Sequence, residues 1–169
     1  GPRARLAAAG RTLTAQVAFL FLALSLLTRV VLLAMSEHEA GVGSWLAAFV
    51  VGVGSDLATL SLALLPVALF ELALPGRWPR LSAALRGVAF AVIAFSLLFL
   101  LASEVIFWDE FGTRFNFIAV DYLIYTREVV GNLDESYPLR WLLPALLVPT
   151  ALLVARTRRS DRKSTRLNS

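Results

Sequence analysis

Cysteine is absent from the 169 residues, and histidine and methionine occur once each, as His38 and Met35. The first absence excludes disulfide frameworks, thiolate metal sites and cysteine nucleophiles. One histidine in a short polar stretch is too little for a His-based zinc centre, and a Ser-His-Asp triad would have to be built on it alone. No HExxH, GxGxxG or Walker motif occurs either. Charge is also scarce: 17% of the residues are Asp, Glu, Lys or Arg, against about 25% in an ordinary soluble domain. The formal charge of +4 does not point to nucleic acid as a partner, because the basic residues flank apolar runs, where they report membrane topology first.

What fills the space is hydrocarbon. Hydrophobic residues make up 58% of the chain and the mean hydropathy is +0.73. These residues are gathered into blocks with the charges between them, the pattern of a chain whose solvent is a bilayer. Four membrane spans are expected, at about 14–35, 45–74, 85–103 and 139–155. The second carries Gly52, Gly54, Asp56 and Pro66, which predicts tilt or a kink. The fourth is short and holds Pro144 and Pro149, which predicts a bend. The fold class is therefore all-α: a polytopic bundle of about four transmembrane helices.

The distribution of charge orients it. Arg3, Arg5 and Arg11 precede span one, Arg77, Arg80 and Arg86 lie between spans two and three, and Arg156, Arg158, Arg159, Arg162, Lys163 and Arg166 follow span four. The other two connections hold most of the acids: Glu37, Glu39, Glu104, Asp109, Glu110, Asp121, Glu128, Asp134 and Glu135. The positive-inside rule then makes the N-terminus cytoplasmic and the stretch 104–138 extracytoplasmic.

Two charges lie within apolar runs. Arg29 and Asp56 each incur a cost of about 2.5–3.5 kcal/mol on insertion scales if left alone in the membrane. On antiparallel helices they differ in depth by roughly one and a half turns, a gap an arginine side chain spans. Either a structural ion pair pinning two helices or a role in proton or substrate handling accounts for them. Gly52 to Asp56, "GVGSD", predicts a close approach of helices. Glu71, near the inner end of span two, is expected to snorkel or to pair with Arg77.

The outer stretch is unlike the rest. Phe107, Phe111, Phe115 and Ile118, then Tyr122, Tyr125 and Val129, recur at helical spacing among charges, which predicts an amphipathic helix in the membrane interface over 104–138, with Gly112 as a joint after span three. Arg114, Asn116, Asp121 and Tyr122 are its candidate contacts to a lipid headgroup or a neighbouring domain. The plainer account is a connector whose polar side is simply solvated.

The words of that stretch, "WDEFGTRFNFIAVDYLIYTREVVGNLDESYP", closely resemble a segment of membrane-anchored sulfatase-like proteins of the lipoteichoic acid synthase and phosphoglycerol transferase family. The resemblance rests on G-x-R-F-N-F-x-x-V-D-Y-L (Gly112 to Leu123) followed by S-Y-P (Ser136 to Pro138). Arg29 and "GSDLATLSLALLP" extend it more weakly, so that it covers about 13–155. It implies a bacterial inner-membrane protein whose membrane helices, with a fifth beyond the four read here, carry an extracytoplasmic catalytic domain of alkaline phosphatase fold. In that domain a threonine or serine and a divalent metal, commonly manganese, act on lipid-linked phosphoglycerol or related esters. No cofactor is expected for residues 1–155, which read as the anchor alone and as catalytically inert. The chain starts "GPRAR", both ends are expected to be incomplete, and the basic tail 156–169 is expected to be non-native because "DRKSTRLNS" resembles adaptor read-through. The alternatives are a complete small polytopic protein, a transporter subunit or assembly scaffold using Arg29 and Asp56, and the phosphoethanolamine transferase branch of the same plan.

Overall fold

A computed structural model describes residues 12–36, 41–75, 77–112, 131 and 137–167. Four helices account for nearly all of them: α1 (Leu13–Met35), α2 (Val42–Ala73), α3 (Pro79–Phe111) and α4 (Leu139–Leu167). Each contains a stretch long and apolar enough to cross a membrane, so the chain is an all-α, multi-pass bundle. Consecutive helices run antiparallel. α1 and α3 form the middle of the bundle, α2 packs on α1, and α4 packs on α3.

The core is a narrow seam between α1 and α3. Leu13, Val17 and Leu20 recur at three- and four-residue spacing on α1 and meet Phe90 and the fully buried Ala94 on α3. Leu64 and Val67 of α2 and Leu153 and Val154 of α4 close over it. Few other large side chains are enclosed; Phe19, Leu62, Leu72 and Leu152 are among many left on the outside. In a bilayer such side chains cost nothing to expose, because lipid tails are as apolar as leucine. Backbone and hydroxyl polarity is handled within the helices instead. Thr28, Ser55, Thr59, Ser61, Ser103 and Thr150 each donate to the carbonyl four residues earlier, at 2.7–3.1 Å, which satisfies the hydroxyl without water.

The start of α1 is held by another helix. Thr12 accepts from the Ala15 N–H at 3.2 Å as an N-cap. Glu71, near the end of α2, accepts from the Leu13 N–H at 2.9 Å, the Thr14 N–H at 3.2 Å and the Thr14 hydroxyl at 2.8 Å. The N–H groups of Leu13, Thr14 and Ala15, three of the four that a helix N-terminus leaves open, are thus satisfied, and the Gln16 N–H makes the first bond within the helix, to the Thr12 carbonyl. A carboxylate at that end also meets the positive pole of the helix dipole. Glu71 therefore does not use Arg77 as its partner; the unfilled N–H groups of α1 offer a denser set of donors.

Three boundaries differ from the sequence expectation. α3 runs from Pro79, in the position that suits a helix start, through Ser103 to Phe111, so residues 104–111 belong to this span and not to a separate interfacial helix. Charges at Glu104, Asp109 and Glu110 do not interrupt a helix; Gly112 does, with φ 62° in the left-handed region and its N–H bonded to the Trp108 carbonyl. At 33 residues α3 is about 50 Å long and overhangs a hydrocarbon core of about 30 Å. α4 continues past Ala155 to Leu167, so helix runs on into the basic tail. α2 is one helix through Pro66 and α4 one helix through Pro144 and Pro149. Of the remainder of the expected interfacial helix, residues 113–130 and 132–136, with Phe115, Ile118, Tyr125 and Val129, lie outside the described residues.

Candidate functional site

Phe49, Gly52 and Asp56 are spaced three and four residues apart and share one face of α2, while Ser25 and Arg29, four apart, share one face of α1. Where these faces meet, Arg29 Nη2 lies 2.6 Å from Asp56 Oδ2. The Ser25 hydroxyl donates to the same oxygen, and Arg29 Nη1 donates to the Phe49 carbonyl at 3.2 Å. The side chains are 10% and 19% exposed for Arg29 and Asp56, and Arg29 Nε is buried without a hydrogen-bond partner.

Gly52 makes this arrangement possible. A Cβ built there would fall on the guanidinium, with Nη2 at 2.6 Å and Nη1 and Cζ closer still. The missing side chain lets the arginine lie flat against α2 and reach a backbone carbonyl three residues away. Gly54 has nothing within 4 Å of its would-be Cβ. The "GVGSD" run thus admits a side chain at Gly52 and does not bring two helix backbones together at Gly54.

Beside the ion pair is a cleft of about 180 Å³ between α1, α2 and α3. Its apolar wall includes Phe21, Leu97 and Leu100, and its polar wall is Ser25, Thr28, Asp56 and Glu104. The sequence places Glu104 in the outer stretch and marks Gly52 as a point of close helix approach, but does not mark Ser25, Thr28 or Phe49. Ser25 had a signal, lying one turn before Arg29; the Phe49 carbonyl, a backbone group, had none. Arg114, Asn116, Asp121 and Tyr122 lie outside the described residues.

A second polar contact sits at the end of the bundle where α3 finishes and α4 begins. The Tyr137 hydroxyl donates to Asp109 Oδ2 at 2.6 Å. Its phenol is pushed up to about 12, first by this hydrogen bond, then by desolvation and by the charges of Asp109 and Glu110. All of these favour the neutral phenol. The bond's contribution is thus fully present below the ordinary tyrosine value of about 10 and is lost as pH rises through about 12. In an alkaline absorbance titration, the difference between the wild type and Tyr137→Phe should reveal one phenol with a midpoint near 12. Asp109→Asn should return it towards about 10; an unchanged midpoint in that variant would rule out Asp109 as the cause.

The fold and the site together define a multi-pass helical membrane protein with an intramembrane ion pair next to a polar cleft. No family model, curated protein or solved structure matches the chain.

Proposed function

We propose that the chain is the membrane-anchoring part of a bacterial inner-membrane, sulfatase-like phosphoglycerol transferase or hydrolase, holding a catalytic domain at the outer leaflet. The observation that carries this reading is the stretch Trp108 to Pro138, whose words resemble that family. It is supported by the way the stretch is mounted: its flanks, Asp109 and Tyr137, are bonded to each other at one end of the bundle. Arginines concentrated on the opposite side support a cytoplasmic N-terminus and an extracytoplasmic 104–138. In this reading the nucleophile and the metal belong to the catalytic domain. The helices position that domain beside lipid-linked phosphoglycerol, and Arg114, Asn116, Asp121 and Tyr122 are the candidate contacts to the headgroup or the domain. Arg29 and Asp56 pin α1 to α2, so that the mount is rigid.

A second reading, a transporter subunit or assembly scaffold, is favoured by one observation: the cleft that reaches Asp56. Sequencing the genomic locus beyond the codon for Ala155 separates the two. The anchor reading expects the frame to pass through a fifth apolar run into a hydrophilic domain with a threonine or serine nucleophile and metal-binding carboxylates. A native stop codon close to Ser169 would overturn it, as would phosphodiesterase activity in the purified 169-residue chain.

A further inference from the structure

Glu71 is bonded to α1, and its commitment there leaves arginines behind. Among the described side chains it is the only carboxylate at the end of the bundle where α2 turns into α3, and it is taken up by the Leu13 and Thr14 N–H groups and the Thr14 hydroxyl. Of the neighbouring arginines, Arg86 is the one whose charge acts on it. Arg77 and Arg80, on either side of Trp78 at the turn, are exposed, and neither is paired with a carboxylate among the described residues. Two positive charges at a membrane surface, with the nearby acid already used, are complemented by an anion from outside the chain.

Beside these charges the chain offers hydrocarbon. Trp78 is exposed, as tryptophans at headgroup level are. From Leu81, the exposed side chains Leu85 and Val88 follow at four- and three-residue steps and so share one face of α3. An apolar stripe about 10 Å long therefore leads away from the arginines along the helix. A free phosphate or an acidic protein would use the charges alone. A lipid with a negative headgroup uses both, because guanidinium groups match phosphate oxygens in a bidentate geometry and an acyl chain lies along the stripe. Lipids without net charge share the stripe but leave the arginines unneutralised, so the arginines set the preference. We propose that the turn between α2 and α3 binds an anionic phospholipid of the adjacent leaflet, with its phosphate on Arg77 and Arg80, its glycerol at Trp78 and an acyl chain along Leu81, Leu85 and Val88. The assignment goes beyond the anchor reading and does not depend on it.

Native mass spectrometry of the purified chain, given equal amounts of dioleoyl phosphatidic acid and dioleoyl phosphatidylcholine, tests the proposal. The wild type should retain the anionic lipid about tenfold over the zwitterionic one. Arg77→Gln and Arg80→Gln should each lower that preference about fivefold, which is the contribution of one basic residue near the surface, and the two together should abolish it. Because both side chains are exposed and unpaired, circular dichroism of the variants should match the wild type. Arg156→Gln, which removes another exposed arginine from the same end of the bundle, is the control for charge alone and should change the preference by less than about twofold, since exposed charges apart from the site are screened. A loss in Arg156→Gln as large as in Arg77→Gln would overturn the site in favour of diffuse attraction, and an unchanged preference in the double variant would overturn it outright. Glycerol 3-phosphate, the same headgroup without its chains, should not displace the lipid at equal concentration; displacement would overturn a lipid as the occupant.

Discussion

Asp56→Ala should destabilise the bundle by about 3–5 kcal/mol, the cost typical of removing one partner from a buried ion pair. The loss is large because two donors, the Ser25 hydroxyl and Arg29 Nη2, share this one carboxylate oxygen. Arg29 is 10% exposed and its Nε is already without a partner, so the variant leaves an almost wholly enclosed cation with only the Phe49 carbonyl. Unfolding followed by tryptophan fluorescence as SDS is titrated into bicelles gives the measurement. The companion variant distinguishes charge from packing: Arg29→Leu with Asp56→Leu removes both ions and should recover most of the loss, since apolar replacement of a buried pair is often neutral or better. Asp56→Ala behaving like Ser103→Ala, within about 0.5 kcal/mol of the wild type as exposed substitutions usually are, would mean that the pair does not hold α1 to α2.

The four spans were legible because a bilayer imposes one demand on every residue of a run, and about 20 apolar residues in succession satisfy it whatever the neighbours are. The meeting of Arg29 with Asp56 was legible for a related reason: two charges in apolar surroundings at similar depth have few other places to go. Less could be read where the answer depends on a helix finding donors or stopping. Charge at Glu104 reads as the end of a span, yet helices end at conformational breaks, and Gly112 with its positive φ is the break here. Glu71 reads as an interfacial acid with Arg77 nearby. Its partners are backbone N–H groups of Leu13 and Thr14, 58 and 57 positions away, and backbone donors leave no trace in composition. The cleft was illegible for the same reason: it takes Ser25, Asp56 and Glu104 from three helices, and only their packing brings them to one wall.

Gly52 and Gly54 offer a matched pair of substitutions with opposite expected signs. In the interior of a helix, glycine is less favourable than alanine by about 0.8–1.0 kcal/mol, and Gly54→Ala, whose new methyl meets nothing within 4 Å, should stabilise the bundle by about that amount. Gly52→Ala should instead destabilise it by about 1–3 kcal/mol, the range for forcing an extra carbon into occupied space. A guanidinium at the end of a free arginine would swing aside at little cost. This one is held on Asp56 Oδ2 at 2.6 Å and on the Phe49 carbonyl at 3.2 Å, so the methyl has to break one contact or the other. The same unfolding titration in an Arg29→Ala background isolates that collision. With the guanidinium gone, Gly52→Ala should change sign and resemble Gly54→Ala, a coupling of about 2–4 kcal/mol where sites without contact couple by less than about 0.5. If Gly52→Ala and Gly54→Ala stabilise alike in the wild-type background, Arg29 is not lying against Gly52, and the geometry that ties α1 to α2 is a different one.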